Sequence, residues 1–164
     1  MSKFTGKSLI FLGLLVFLAG VSLADSIFLT ANDFDSIYDD NEGGSYYAGD
    51  YLYPETDSTY NHFFAPVHLP QGAQITSVVV RYQDNATGYI RVRMVRRNMY
   101  ANTSQWMCDW SSSGASSAWQ GHKITGLTYW TVDNSGYGYN MWIWFSESST
   151  SLRVEGIRIN YNMP

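Results

Sequence analysis

Beyond residue 24, no long segment of this chain spaces its apolar residues at the helical period of 3.6. Short runs rich in Val, Ile, Tyr, Trp and Thr recur instead, parted by Gly, Asn, Asp and Ser. A chain without an apolar helical stripe has no helix face to bury, so strands must build its core. The runs lie near 26–31, 45–52, 60–68, 74–83, 88–97, 104–110, 122–132, 137–146 and 151–161. Spacing of about ten residues with turn signals between predicts an all-β, antiparallel β-sandwich, jelly-roll-like. Asp84-Asn85-Ala86-Thr87-Gly88 and Asp133-Asn134-Ser135-Gly136 are two of the turns. Pro66 and Pro70 bracket Val67-His68-Leu69, which places that segment at a sheet edge or a strand end.

Strand parity sorts the side chains into faces. In 88–97, Ile90, Val92 and Met94 form one face, while Arg91, Arg93 and Arg97, interrupted by Val95, form the other. The first face is core and the second is wet. In 151–161 the apolar set changes parity, from Leu152 and Val154 to Ile157, Ile159 and Tyr161. One extra residue restores a single inward face, so a β-bulge is predicted at Glu155-Gly156.

The first 24 residues read differently. Lys3 and Lys7 precede an apolar run from Leu9 to Ala19, and Ser22 and Ala24 supply small residues at −3 and −1 before Asp25. This is the pattern of a secretory signal peptide, with a run short of the ~20 residues that span a bilayer. The expected organisation is a signal peptide over 1–24, an acidic segment over 25–58 that is either an arm or the first strands, and a sandwich core over 59–164. The expected location is extracellular or at the cell surface, with no transmembrane segment in the mature chain. Loss of Lys3 and Lys7 leaves 8 basic and 14 acidic residues, a net charge of −6. That balance argues against nucleic acid as a partner. Cys108 is the only cysteine, so an internal disulfide is excluded, and packing must hold the fold. The residue itself reads as a small buried hydrophobe.

Charge is unevenly placed. Residues 25–57 carry nine acids and no Lys or Arg, whereas five of the eight mature basic residues fall in 81–97. An acidic segment meeting a basic sheet face, within one subunit or between two, is one expectation, and a solvated acidic loop is the other. Asp33, Asp35, Asp39 and Asp40 offer hard oxygen ligands for calcium, the one cofactor suggested. Their spacing departs from an EF-hand loop, because Ile37 and Tyr38 take its fifth and sixth positions.

The run 137–146 is the most informative. Tyr137, Tyr139, Met141, Ile143 and Phe145 share one parity and form a core row. Gly138, Asn140, Trp142, Trp144 and Ser146 share the other. Two indoles about 7 Å apart on a solvated face suit stacking on sugar rings or a protein interface, unless a segment such as 32–58 covers them. Trp142, Trp144 and Asn140, with Arg91 and Arg93, are the candidate ligand or interface residues. Trp106, Trp110 and Trp119, around a Ser-rich loop, read as core anchors.

Catalytic signals are thin. Asp84, Asp109, Asp133, Glu147 and Glu155 are available for acid–base work, yet most sit in turns or at strand ends and no pattern pairs them. His62, His68 and His122 lack a metal-ligand spacing. No catalytic residues are assigned, and the chain is expected not to be an enzyme.

Several stretches carry a resemblance: Ala65-Pro66-Val67-His68-Leu69-Pro70-Gln71-Gly72-Ala73, Ile75-Thr76-Ser77, Asp84-Asn85, Ser112-Ser113-Gly114-Ala115, Val132-Asp133-Asn134, Tyr137-Gly138-Tyr139 and Leu152 through Tyr161. Over about 60–164 the chain resembles a group of secreted bacterial β-sandwich proteins of uncharacterised activity. The resemblance implies export and a compact sandwich, and it brings no site residues. The 32–58 segment matches least, and the Trp-rich 106–119 stretch and the Trp142/Trp144 pair stand outside the group's pattern. The resulting expectation is a non-catalytic structural, self-assembling or interaction module. The alternative is a carbohydrate-binding module that uses Trp142 and Trp144 on a polysaccharide.

Overall fold

A computed structural model describes residues 23–36, 45–48, 50–54 and 61–163, with the backbone alone over 45–48. The leader through residue 22, together with Asp39 and Asp40, lies outside the described residues. The strands are β1 (Ala24–Thr30), β2 (Asp35–Ser36), β3 (Ser45–Ala48), β4 (Tyr51–Pro54), β5 (His62–Val67), β6 (Gln74–Asp84), β7 (Ile90–Asn98), β8 (Ser104–Ser111), β9 (Ser116–Ile124), β10 (Tyr137–Phe145) and β11 (Leu152–Asn162). A single 3-10 turn, Ala31–Asp33, follows β1.

The strands form two antiparallel sheets packed as a sandwich. The six-stranded sheet runs β3-β4-β11-β6-β9, with β1 beside β11. The five-stranded sheet runs β2-β5-β10-β7-β8. From β5 onward the chain passes repeatedly between the sheets, in the jelly-roll-like manner the strand spacing predicts. Strands β1, β3 and β4, from the acidic 25–58 stretch, are members of the six-stranded sheet, and β2 is the edge of the other.

Parity explains the core. Tyr139, Met141, Ile143 and Phe145 of β10 face inward with Ile90, Val92 and Met94 of β7. Opposite them lie Val78, Val80, Ile157 and Ile159 of the six-stranded sheet, all buried. Phe63 meets Phe145 edge to face at 5.7 Å. Each large side chain buried this way contributes about 1.5–3 kcal/mol.

The predicted bulge is present in β11. Its register on β6 jumps from Val154↔Tyr82 to Gly156↔Arg81, which leaves Glu155 as the extra residue. A Cβ on Gly156 would stand 2.7 Å from the Leu29 carbonyl oxygen and 2.8 Å from the Phe28 ring. Only glycine lets β1 close against β11 there.

Two strand expectations need correction. The run 45–52 is not one strand but parts of a hairpin, in which Tyr46 pairs with Tyr53. The run 122–132 is also displaced, because β9 occupies Ser116–Ile124 and pairs with β6. After it, Gly126 (φ 71°) and Tyr129 (φ 53°) break extended backbone, and the segment rejoins the sheet only at the Gln74–Thr131 bridge.

Candidate binding face

The outer face of the five-stranded sheet carries the candidate residues. Register places Trp144 between His62 of β5 and Arg91 of β7, and Trp142 between Phe64 and Arg93. Asn140 follows between Pro66 and Val95. One strand further out, β8 sets Asp109 opposite Arg93 and Trp106 opposite Val95. Alternation along four neighbouring strands therefore assembles the centre of this face.

His62, Arg91, Arg93, Trp142, Ile143 and Trp144 line an apolar depression of about 170 Å³. Trp144 is half-buried and flanked by two rings that stand perpendicular to it. His62 meets it at 5.6 Å and 84°, and Tyr89 at 5.6 Å and 85°. Trp142 is 39% exposed and presents its indole beside this braced partner. A second depression of about 410 Å³ continues along the same strand, lined by Pro66, His68, Asn134, Gly138 and Asn140 among others. Asn134 is fixed there by its side-chain amide, which donates to the Leu69 carbonyl at 2.8 Å. Positions 138 to 144 cover about 20 Å of strand at ~3.3 Å per residue, a length suited to an extended chain molecule.

The charges form one network. Asp109 accepts two hydrogen bonds from Arg91, from Nε at 2.7 Å and from Nη2 at 2.5 Å. Arg93 Nε lies 3.2 Å from Asp109 Oδ1, but off line for a hydrogen bond, and this buried nitrogen has no hydrogen-bond partner. The Arg93 guanidinium instead sits over the Trp106 ring, 3.8 Å from its centroid. Hydrogen bonding from Arg91 holds the Asp109 carboxyl below its usual range, and burial and Arg93 lower the His62 imidazole. His62 is therefore neutral at pH 7, with one ring nitrogen to donate and one to accept.

The structure thus brings Trp142, Trp144, Arg91 and Arg93 into one depression and places Asn140 in the next. His62, Asp109 and Trp106 complete the arrangement, and sequence reading missed their roles. Parity of 62–68 held a signal for His62, which alternates with the buried Phe63 and Ala65. Trp106 is a correction: it is 52% exposed rather than a core anchor. The β7–β8 register jumps between Met94↔Cys108 and Val95↔Trp106, so Met107 is extra and Trp106 turns outward. Trp119 is likewise exposed, at 37%. Trp110 does anchor the core, edge-on to Tyr82 at 5.1 Å and stacked on His122 at 4.5 Å.

The other sequence candidates take structural roles. Asp33 Oδ2 caps the turn after β1, accepting from the Thr30 amide at 2.7 Å and its hydroxyl at 2.8 Å. Asp35 lies in β2 opposite Phe64. Among the described residues no three His, Cys, Asp or Glu side chains group as metal ligands. The acid that meets Arg91 and Arg93 is Asp109, from the adjacent strand. The fully buried Asp84 accepts from Ser112 Oγ at 2.6 Å, and Ser112 accepts from the Ile90 amide at 2.8 Å. Asp133 is bound to Ser135, Glu147 to Thr87 and Glu155 to Arg81. Burial pushes the Cys108 thiol up to about 11.

No family model matches the chain, and no curated protein does. Among solved structures, it is similar to one described as xylan-binding module CBM15. The TM-score is 0.51 at 9% identity, over 87% of this chain and 98% of that one. The likeness shows the fold: this chain is an antiparallel β-sandwich of the architecture that module also has. Among the described residues, no helix is long and apolar enough to cross a membrane.

Proposed function

We propose that this chain is an exported, non-catalytic carbohydrate-binding module whose five-stranded sheet receives a polysaccharide on Trp142 and Trp144. One observation carries the reading: an exposed indole beside a braced one, in a depression that continues along β10 into an amide-lined one. Indole faces bury the C–H face of a pyranose ring, and flanking His, Asn and Arg groups hydrogen-bond its hydroxyls. The printed name of the structural neighbour supports the same class of ligand. The non-catalytic part is supported by the carboxylates themselves. Asp84, Asp109, Asp133, Glu147 and Glu155 each hold a structural partner.

Titration of the secreted chain with soluble polysaccharides, read by tryptophan fluorescence and calorimetry, tests the reading. Binding lost in Trp142→Ala, with melting retained, supports it. Absence of binding across neutral and acidic plant and bacterial polysaccharides overturns it.

Self-association is a second reading, favoured by Met99 and Tyr100, which are 69% and 86% exposed at the β7–β8 turn. Solution mass across a concentration series tests it, and a strict monomer at high concentration removes it.

A further inference from the structure

We propose that the Trp142/Trp144 depression selects acidic polysaccharides, with the guanidinium of Arg93 taking the carboxylate of a uronic acid residue between Trp106 and Trp142. This rests on the polysaccharide reading above and adds the class of sugar.

The first argument is the charge balance on the face. Two arginines meet one carboxylate, and the sharing is unequal. Arg91 takes both oxygens of Asp109, in the bidentate geometry that satisfies a carboxylate best. Arg93 has only the off-line approach of its Nε at 3.2 Å. One positive charge is therefore left over here, on a chain whose net charge is −4. His62, the remaining titratable neighbour in the depression, does not supply the missing negative charge, because a neutral imidazole carries none.

The second argument is what holds Arg93. Its guanidinium carbon lies over the Trp106 ring, 3.8 Å from the centroid, a cation–π contact that takes up no hydrogen-bond acceptor. Its Nε is buried beside Asp109, so the two Nη groups of this partly exposed side chain are the N–H edge left to an incoming group. The side chain is 24% exposed, which is open enough to be reached and buried enough to strengthen a charged hydrogen bond. A planar fork fixed in place and short of an acceptor suits a planar carboxylate. Because Arg93 is the cross-strand neighbour of Trp142, a sugar ring stacked on that indole places its substituents beside the fork.

The test compares glucuronoxylan with the same polymer after its carboxyl groups are reduced to alcohols. The two share a backbone and differ only in charge. The expected result is about tenfold tighter binding of the acidic form at low salt, weakening as ionic strength rises. Arg93→Gln should bring the ratio between the two polymers close to one. Arg93→Lys keeps the charge but not the fork, and should restore only part of it. Equal affinity of the native chain for both polymers, with both lost in Trp142→Ala, overturns the charge selection and leaves the polysaccharide reading standing. Binding of neither polymer, nor of any other polysaccharide, overturns that reading itself. A ratio unchanged in Arg93→Gln assigns the preference to another group and rejects Arg93.

Discussion

The two outer faces of the sandwich use the same side chains to opposite ends. On the six-stranded sheet, Tyr51 lies 5.9 Å from both Tyr53 and Trp119. Arg153 covers Tyr51 at 4.7 Å, Arg81 stands 6.0 Å from the Trp119 ring, and Arg81 is itself tied to Glu155. These aromatics pack on one another at tilts of 45° and 56° and lie under arginine guanidinium groups, as cladding for the strands beneath. On the five-stranded sheet, Trp144 is braced by His62 and Tyr89 in perpendicular ring contacts, and Trp142 opens into a depression. A count of Trp, Tyr and Arg does not distinguish the faces. The difference is whether the rings pack on one another beneath arginines or line an open depression.

Truncation on each face should break that symmetry most strongly. Trp142→Ala removes the open indole, and the expected loss is about thirtyfold in polysaccharide affinity, the scale of a hot-spot residue of about 2 kcal/mol. Trp119→Ala should leave affinity within about twofold, because its ring packs within the chain. Equal losses of affinity from the two changes would mean that the faces are not functionally distinct.

The next effect belongs to the cladded sheet alone. Gly156→Ala forces its new methyl against the Leu29 carbonyl and the Phe28 ring. Strain of this kind costs about 1–3 kcal/mol, or roughly 3–8 °C in Tm for a domain of this size. Calorimetric melting should show the drop, while binding on the opposite face persists below Tm. A Tm unchanged from the parent chain would show that β1 does not pack on the bulge as described.

Much of this was legible in the sequence because a strand's period of two ties burial to position. The alternation in 137–146 predicted the buried row from Tyr139 to Phe145, although Tyr137 at the strand's start is only half-buried under Arg96, and the parity break at Glu155-Gly156 predicted the bulge. Trp106 was not legible. Its direction depends on the extra residue at Met107, and Val95 and Trp106 meet only across strands that are folded. Asp109 was hidden for the same reason, since its bond with Arg91 joins residues 18 apart on neighbouring strands. The hairpin of β3 and β4 was read as one strand because Tyr and Ala continue the β pattern on both sides of its turn. Pairing across strands decides what a site contains, and it leaves no local mark in composition.

The smallest expected effect is in pH, and it separates the groups of the binding face by range. His62 and Asp109 both have lowered pKa values, so for each the unfolded chain holds more protons and stability rises with pH. The His62 contribution is fully present above its ordinary value of 6.5 and is lost as pH falls through its lower folded value. The Asp109 contribution is intact above the ordinary carboxylate value of 3.8 and goes only in stronger acid. Between pH 7.5 and 5.5, then, His62 is the group of this pair that titrates. Its protonation sets a positive ring against Trp144 and beside Arg93, and the repulsion from Arg93 loosens the brace on that indole. Tm and polysaccharide affinity should both decline modestly over that range. His62→Asn should flatten the part of the decline that His62 causes. Identical pH profiles for the parent chain and His62→Asn would remove His62 from the support of Trp144 and leave Tyr89 as its brace.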